Sequence, residues 1–339
     1  MSKSNSPIFN DLLTELEIHP VLIDIGSSGA PPEIWQPIAP HSVYVGFDPD
    51  LREIHEVPDG RFHKAITVNE AVTSDAQSDE LRFYLTKSPY CSSTLKPDLE
   101  SLSNFLFSDL FIVERETTVR AATLDSILDR LSLDRIDWLK TDSQGTDLRI
   151  FNSIRDEVRS RVLAIDIEPG LVDGYVGEDL FVDVHGDLIR NGFWLSDLNV
   201  CSALRMSKSA LREATSARRQ LDQAFVEKNL KKTPAWCEAR YLRTIKSLAE
   251  GVYERRDYVL LWTFAILDNQ FGFALDLVIE YERRFGQDDI SLRIKEDSIE
   301  RIRRSRVKNA QPRQTLKTRA KSLVPARTRR WLKQYIRPE

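Results

Sequence analysis

The sequence predicts an α/β protein with a doubly wound, mostly parallel sheet, and three observations lead to this fold class. Short apolar runs alternate with amphipathic helical segments through about residue 200. Two early runs each end in an acidic residue, and a turn of small residues follows the first run. Ligands of open parallel sheets bind at the carboxyl ends of the strands, so these features predict a binding site there.

The first apolar run, Val21–Ile25, is too short and too rich in β-branched residues for a helix, which predicts a buried central strand. The turn after it contains Gly26, Ser27 and Gly29, whose small size lets the backbone approach a ligand closely. A helix beginning at Pro31-Pro32-Glu33 would aim its free N–H groups at the same ligand. We therefore predict that this turn binds a cofactor.

The second run, residues 43–47, ends at Asp48, which is placed to accept hydrogen bonds from both hydroxyls of a ribose. The preceding turn reads D-x-G-x-x-G and lacks the middle glycine of the dinucleotide fingerprint. Asp24 suits a cofactor with a cationic amino-acid end, or else forms a backbone bridge. The pattern favours S-adenosylmethionine over a dinucleotide, with a plain turn that binds nothing as the alternative.

The later segments continue the alternation of strands and helices. Residues 88–98, SPYCSSTLKPD, are rich in Pro and Ser and predict a loop above the sheet, where substrate contacts are common. The other predicted elements are a helix at 7–17, strands at 62–72 and 81–85, a helix at 123–131, strands at 136–140 and 162–167, a helix at 181–191 and a strand from 193.

The pattern divides the chain into three parts. Residues 1–206 form the α/β domain, whose sheet is completed either there or within residues 207–246. Residues 207–299 are predicted as a helical C-terminal extension, with a helical hairpin over residues 248–284. Residues 300–339 form a basic tail that is partly amphipathic or disordered.

Composition and charge limit the class of protein. The three cysteines are far apart and form no C-x-x-C pair, so neither a disulfide framework nor a zinc site is expected. No segment has the apolar length of a signal peptide or a membrane span, which predicts a cytoplasmic protein. The net charge of −4 conceals an acidic body and a tail, residues 301–338, with fourteen Lys or Arg and no Asp or Glu.

Seven motifs follow one another between about residues 21 and 200: DIGSSG, YVGFDPD, NEAV, CSSTLKPD, TLDSIL, WLKTDSQGTDLRIF and NGFWLSDL. In this order they resemble the FkbM-type methyltransferase family, and the pairing of TLD with KTDSQGTDL is the most specific part. The resemblance implies a Rossmann-like class I fold, S-adenosylmethionine as cofactor, and O-methylation of a sugar, glycan or secondary metabolite. The chain departs from the family pattern where Ala30 follows Gly29, and where Ser143-Gln144 replaces the usual hydrophobic-acidic pair.

The resemblance also assigns roles to residues beyond the first turn. It places adenine contacts at Ala71 and Val72, with core packing as the alternative. Asp142 ends the fourth strand, over the expected position of the methyl group, and is the predicted catalytic residue. Its alternative role is the N-cap of the following helix. Lys140, two residues earlier, either orients Asp142 or forms a simple ion pair.

Two further residues are candidates for catalysis. Glu168 ends the next strand and is placed to bind substrate, or to share a divalent cation with Asp142. His185 is a candidate general base, although a single histidine on a helix is more often a surface or packed residue. No His or Cys cluster has the spacing of a metal site, so no metal ligand is predicted.

The basic tail predicts peripheral attachment to an anionic membrane surface, at the inner face of the membrane. A nucleic-acid partner is not expected, because apolar residues interleave with the basic ones near the end and the body is acidic. A solvated tail, or one folded back on the body, is the alternative. The interleaved apolar residues of the tail are Trp331, Leu332, Tyr335 and Ile336.

Two other functions stay open for the whole chain: a non-catalytic interaction protein with this fold, and an NAD-dependent sugar-modifying enzyme.

Overall fold

A computed structural model describes residues 7–27, 30–50, 60–218 and 221–308. Its main sheet has seven strands in the order β3-β2-β1-β7-β8-β10-β9. Its strands are β1 (Val21–Ile25), β2 (Val43–Phe47), β3 (Lys64–Val68), β7 (Trp138–Thr141), β8 (Ala164–Ile167), β9 (Phe193–Ala203) and β10 (Thr233–Arg243). The first five of these are parallel to one another, and β10 is antiparallel to both β8 and β9. The predicted doubly wound, mostly parallel sheet is confirmed.

The central strands form where the sequence is apolar on both faces. All five residues of β1 and all five of β2 are buried, as is typical of parallel strands covered by helices on either side. Ile23 of β1 lies beside Val45 of β2 on one flank and Leu139 of β7 on the other. This register places the carboxyl ends of β1, β2 and β7 at one edge of the sheet.

Helices cover both faces of this sheet. They are α1 (Ile8–Glu15), α2 (Leu99–Leu102), α3 (Leu124–Leu131), α4 (Asp147–Ser153), α5 (Asp156–Arg159), α6 (Phe181–Arg190), α7 (Lys208–Ala217), α8 (Gln223–Asn229), α9 (Ile245–Glu250), α10 (Arg255–Leu267), α11 (Phe271–Phe285) and α12 (Asp289–Lys308).

The alternation of side chains along each strand divides the core into two layers. Leu22 and Trp138 face a layer that contains α1 and the C-terminal helices α10 to α12. Ile23 and Leu139 face the opposite layer, which contains α3, α4 and α6. Trp262 of α10 is fully buried in the first layer. The C-terminal helices therefore complete the hydrophobic core of the α/β domain.

A row of charged side chains crosses the first of these faces near the carboxyl ends of the strands. Lys140 lies between Asp24 and Asp166 in the strand register, and Arg240 lies beyond Asp166. The Arg240 guanidinium donates to Asp166 at 2.6 Å and to Asp268, after α10, at 2.8 Å. Alternating charges allow this row to be buried, because each ion has an opposite charge beside it.

A second, small sheet stands beside the main one. It has the order β4-β6-β5, with β4 (Ala71–Val72), β5 (Glu80–Thr86) and β6 (Val113–Ala122). The loop between β5 and β6 includes residues 88–98, so the predicted Ser-rich loop is a connection between these two antiparallel strands.

Two expectations for the backbone are wrong. No α-helix begins at residues 31–33; only a single 3₁₀ turn, Glu33–Trp35, forms there. Pro37 and Pro40 lack N–H donors and restrict the residues before them, which prevents a longer helix. The segment after residue 207 is also not helical throughout, because β10 lies within it and joins the main sheet between β8 and β9.

The C-terminal part of the chain is helical to Lys308, so α12 includes the first residues of the basic tail. The apolar and basic residues near 331–337, on which the membrane prediction depends, lie outside the described residues. Gly29, one of the predicted cofactor residues, also lies outside them. None of the helices described is long and apolar enough to cross a membrane.

Candidate functional site

The turn after β1 is held against the end of β2. The N–H groups of Gly26 and Ser27 both donate to the Phe47 carbonyl oxygen, each at 2.9 Å. Asp48 follows Phe47 directly, so the small-residue turn and the acidic strand end lie side by side. Gly26 has φ +71°, and a β-carbon there would overlap the Asp142 carbonyl oxygen. Only glycine allows this close approach without strain.

Asp24 supports this turn through Lys140. Its side chain is buried, with Oδ1 3.2 Å from Lys140 Nζ and Oδ2 accepting a hydrogen bond from the Tyr44 hydroxyl at 3.0 Å. Lys140 in turn donates to the carbonyl oxygens of Ile25 and Gly26, both at 3.2 Å. The carboxylate therefore reaches the turn by a backbone bridge, which is one of the two roles considered for it.

Asp48 is 7% exposed and lies at the start of a compact turn. Its Oδ1 accepts a hydrogen bond from the Asp50 N–H at 2.8 Å, and its carbonyl accepts one from Asn69 Nδ2 at 2.7 Å. These contacts fix a carboxylate at the carboxyl end of the second strand. That is the position from which a ribose diol is bound in doubly wound folds.

Ala71 and Val72 form a short buried apolar strand just after Asn69, which contacts Asp48. They make up β4, are 4% and 7% exposed, and pair with Ala121 and Ala122 of β6. The preceding Glu70 is buried and accepts hydrogen bonds from Arg120 and Arg130. The Arg130 hydrogen bond is the largest cause that lowers the pKa of Glu70. This ion cluster anchors the β4 segment beside the sheet.

Asp142 lies directly after β7, at the centre of the carboxyl edge. Its Oδ1 accepts a hydrogen bond from Gln144 Nε2 at 2.5 Å, and its Oδ2 lies 3.7 Å from Lys140 Nζ. The residue that caps α4 is Thr146, so the alternative role of Asp142 as that N-cap is wrong. Lys140 thus contacts both Asp24 and Asp142, in agreement with an orienting role.

Asp147 is a completely buried acid that the sequence did not single out. Its Oδ1 accepts hydrogen bonds from the Thr141 hydroxyl and from the Ser143 N–H and hydroxyl, the latter two at 2.8 Å. Its Oδ2 is buried without a hydrogen-bond partner, and burial raises the pKa of this carboxyl. Asp147 therefore shapes the turn that carries Asp142.

Three loops meet above Asp142. Gln144 Oε1 accepts a hydrogen bond from the Tyr175 hydroxyl at 2.8 Å, and the Gln144 carbonyl accepts one from the Ser93 hydroxyl at 2.7 Å. The Tyr175 hydroxyl also lies 2.9 Å from the Cys91 carbonyl oxygen. Ser93 belongs to the predicted substrate loop, and Tyr175 to the loop between β8 and α6. The predicted loop is thus brought to the predicted catalytic residue.

The loop between β8 and α6 also contains a carboxyl group, that of Glu178, whose pKa is raised. Glu178 accepts hydrogen bonds from the N–H groups of Gly174 and Tyr175, at 2.6 and 2.7 Å. Burial nevertheless raises the pKa of Glu178 to about 7. Its contacts show that it closes the loop that carries Tyr175.

Glu168 and a second acid lie on the far side of Asp142. Glu168 follows β8 directly and is half-buried. Burial raises the pKa of Glu238 on β10, and the negative charge of Asp142 adds to this effect. Burial, together with the negative charges of Glu168 and Glu238, raises the pKa of the Cys237 thiol to about 12. Glu238 was missed because its segment was interpreted as helical.

His185 lies apart from this group. Its Nδ1 is 3.1 Å from the Tyr241 hydroxyl, and its ring stacks on Phe181. These contacts hold the His185 side chain, which belongs to α6, near the last residues of β10, in the helical layer rather than at the carboxyl edge. In the part of the chain that the structure describes, no group of three or more His, Cys, Asp or Glu side chains is arranged to hold a metal ion.

The side chains and turns at this edge fit S-adenosylmethionine. Gly26 leaves room for close backbone approach, and replacement of its hydrogen by a β-carbon would fill that room. Asp48 is a carboxylate of the kind that would bind a ribose, and Ala71 and Val72 are apolar residues of the kind that would contact an adenine. Asp142 stands between them and the three loops. The arrangement of these groups agrees with a class I methyltransferase site.

Comparison with known proteins supports the same conclusion for part of the chain. Residues 41–193 match the family model described as the methyltransferase FkbM domain. No curated protein matches the chain. The matched range includes β2 to β8 and α2 to α6, and thus Asp48, Ala71, Val72, Asp142 and Tyr175. Residues 41–193 are therefore similar to a methyltransferase FkbM domain, and they lie in a larger α/β fold to which β1 and β10 also belong.

Proposed function

We propose that the protein is an S-adenosylmethionine-dependent O-methyltransferase that acts on a hydroxyl group of a sugar, glycan or secondary metabolite. The observation that carries this proposal is the contact between Gly26 and Asp142. It packs the backbone of Asp142 against the proposed cofactor turn, at the carboxyl edge of a sheet whose residues 41–193 match an FkbM methyltransferase model. A carboxylate at that position can receive the proton of an acceptor hydroxyl.

Different residues at this edge of the sheet bind different parts of the cofactor. Asp48 binds the ribose diol, Ala71 and Val72 contact the adenine, and the backbone of Gly26 and Ser27 contacts the amino-acid end. When bound, S-adenosylmethionine supplies a methyl group on a sulfonium, which needs an aligned nucleophile more than strong acid–base help. The chain therefore contributes chiefly by holding the acceptor oxygen in line.

Asp142 is the residue proposed to act on the acceptor. Its Oδ1 and Oδ2 are oriented by Gln144 and Lys140. Asp142 would take the proton of the acceptor hydroxyl, and S-adenosylmethionine would supply the methyl group and leave as S-adenosylhomocysteine. Glu168, at the end of the next strand, is proposed to bind acceptor hydroxyls. His185 takes no part in this mechanism, because its contacts are to Tyr241 and Phe181.

A row of aromatic side chains favours a sugar, or another acceptor with an apolar face, as the substrate. Phe111 packs edge-to-face on Tyr175 with ring centroids 5.6 Å apart, and Phe107 lies 5.6 Å from Phe111. Trp236 of β10 packs against Phe107 in turn. These rings lead away from Tyr175 and the Asp142 turn. Aromatic rings of this kind bind the C–H faces of sugars and flat metabolites.

Isothermal titration calorimetry with S-adenosylmethionine and, separately, with NAD tests the cofactor. We expect binding of S-adenosylmethionine and none of NAD; the reverse result would replace the proposal with a dinucleotide enzyme. Transfer of a labelled methyl group to a panel of sugars, glycans and phenolic metabolites then tests the acceptor. Labelled product from a compound without a free hydroxyl would contradict O-methylation.

Peripheral attachment to an anionic membrane is part of this proposal. The exposed side chains of Leu292, Ile299 and Ile302 lie at helical spacing on one face of α12, and α12 leads into the basic tail. An apolar stripe beside basic residues is typical of helices that lie on membrane surfaces. Arg303 is largely exposed on this helix, although it pairs with Glu300.

Co-sedimentation with phosphatidylserine vesicles tests the attachment. The full chain is expected to sediment with the vesicles, and a chain shortened to end at Lys308 less so. Replacement of Leu292, Ile299 and Ile302 by Asn should weaken binding further, whereas Val252→Asn, at an 83% exposed apolar side chain elsewhere, should not. Equal sedimentation of the full and shortened chains would contradict attachment through the tail.

A further inference from the structure

Three side chains form a continuous hydrogen-bonded chain that ends at Asp142. The Tyr175 hydroxyl donates to Gln144 Oε1 at 2.8 Å, and Gln144 Nε2 donates to Asp142 Oδ1 at 2.5 Å. We propose that Tyr175 and Gln144 are positioning residues, which hold the Asp142 carboxylate toward the transferable methyl group of the cofactor. This inference rests on the proposed function and assigns two residues for which neither the sequence motifs nor the family match gives a role.

The contacts on both sides of the Gln144 amide agree on one orientation of that amide. An ionised carboxylate only accepts hydrogen bonds, and a phenol placed against the amide oxygen donates one. If the amide were rotated by half a turn, its oxygen would face the Asp142 oxygen and its NH₂ would face the phenol. Burial raises the pKa of Tyr175 well above its usual value, so the phenol keeps its proton and remains a donor.

The backbone of Gln144 shows that this arrangement is built into the fold. Gln144 has φ +59°, a left-handed conformation that is uncommon for residues other than glycine. Its carbonyl accepts the Ser93 hydroxyl at 2.7 Å, and the same Ser93 oxygen accepts from the Leu95 N–H at 2.9 Å. Conformations of this kind persist where the surroundings fix them and are concentrated at functional sites.

The second contact of Tyr175 joins the substrate loop to the same chain. Its hydroxyl lies 2.9 Å from the Cys91 carbonyl oxygen, and its backbone pairs with Pro97. One hydroxyl hydrogen is shared between an acceptor on the 88–98 loop and one on Gln144. Tyr175 therefore links this loop to the side chain that contacts Asp142.

A held carboxylate beside the methyl position should favour a ligand that carries a positive charge there. Sinefungin has a protonated amine in place of the methyl sulfonium, and S-adenosylhomocysteine has a neutral thioether. The ratio of their affinities therefore measures the carboxylate at that position. Both ligands make the same contacts with the ribose and adenine, so those contacts cancel in the ratio.

Calorimetric titration of the full chain with each ligand tests the inference. We expect the wild type to prefer sinefungin, and Tyr175→Phe to reduce that preference about three- to tenfold at unchanged affinity for S-adenosylhomocysteine. Gln144→Leu should reduce it as much, and the double variant no further, because the two residues act through one chain. Asp142→Asn should abolish it.

Tyr253→Phe is the matched control. Its hydroxyl donates to the Ser160 carbonyl, far from the carboxyl edge, so its loss should leave the preference unchanged. The inference is overturned if Tyr175→Phe keeps the full preference, or if it weakens both ligands equally. A wild type that binds both ligands equally also overturns the inference, because Asp142 then does not lie beside the methyl position, but it leaves the proposed cofactor in place. A wild type that binds neither overturns the proposed function and this inference with it.

Discussion

Gly26 lies against the backbone of Asp142, so that a β-carbon on Gly26 would overlap the Asp142 carbonyl oxygen. The two residues belong to the turns after β1 and β7, which are neighbours in the sheet and pair Leu22 with Trp138. The proposed cofactor turn and catalytic turn are therefore one packed unit.

Gly26→Ala is expected to weaken S-adenosylmethionine binding at least about tenfold, because the turn must move to relieve the overlap. Calorimetry of the folded variant measures this effect. Gly286→Ala is the matched control, since Gly286 also has positive φ but has open space around its Cβ position. If both variants bind the cofactor as the wild type does, the turn is not the binding element.

Asp48→Ala should remove ribose hydrogen bonds worth about 1.5–3 kcal/mol, which corresponds to a tenfold to hundredfold weaker affinity for S-adenosylmethionine. Asp222→Ala serves as control, because Asp222 also accepts a backbone N–H, at the start of α8 and away from the site. Equal affinity of the wild type and Asp48→Ala would show that the ribose lies elsewhere.

Asp142→Asn should abolish most methyl transfer while the melting temperature stays the same. The amide keeps an oxygen that can accept from Gln144, and α4 does not depend on this residue for its cap. Initial rates with labelled S-adenosylmethionine, together with thermal unfolding, measure both properties. Full activity in the variant would move the catalytic role to Glu168.

Glu178→Gln should alter the pH dependence of stability. Burial raises the pKa of Glu178 from 4.5 to about 7, so its contribution is fully present below pH 4.5 and is lost as pH rises through 7. Between pH 5 and 8 the free energy of unfolding of the wild type should fall by about 1–3 kcal/mol relative to the variant. Parallel urea titrations measure the difference; two curves that stay parallel would contradict the raised pKa.

Arg243→Leu should destabilise the fold by about 2–4 kcal/mol without changing cofactor affinity. Arg243 is 4% exposed, donates to the carbonyl oxygens of Val162, Asn191 and Arg159, and stacks on Phe193 at 3.8 Å. Its loss removes the Arg243 donors to the Val162 and Asn191 carbonyl oxygens, whereas the Arg159 carbonyl keeps the Val162 N–H. Denaturant unfolding measures the loss, and a change in affinity instead of stability would contradict a structural role.

The sequence predicted the parts of the fold that depend on local pattern. The central strands are mostly apolar and are followed by acids, so the carboxyl edge with Asp48 and Asp142 could be predicted from the sequence. β10 could not, because its outward positions include Glu238 and Arg240, whose partners Asn199 and Asp166 lie on other strands. A strand that contains charged residues is hard to predict from its own sequence, because the partners of those residues lie on other strands.

The residues that contact Asp142, the proposed catalytic residue, could not be predicted for the same reason. Gln144 and Tyr175 are 31 positions apart, and only the folded loops bring them together. A signal was nevertheless present, since Tyr175 lies in a long Gly-rich loop directly after a parallel strand, where ligand contacts are common. His185 is the opposite case. Histidine is a common catalytic residue type, but the contacts of His185 with Tyr241 and Phe181 make it a packing residue.

The place of β10 in the sheet has a consequence for synthesis on the ribosome. β10 is the last strand of the sheet to be made, yet it lies between β8 and β9, and within the described residues β9 pairs with no other strand. At roughly 5–20 residues per second, several seconds separate the emergence of β8 from that of β10. During that interval the nascent chain exposes an apolar strand edge, and pairing with a neighbouring chain competes with folding.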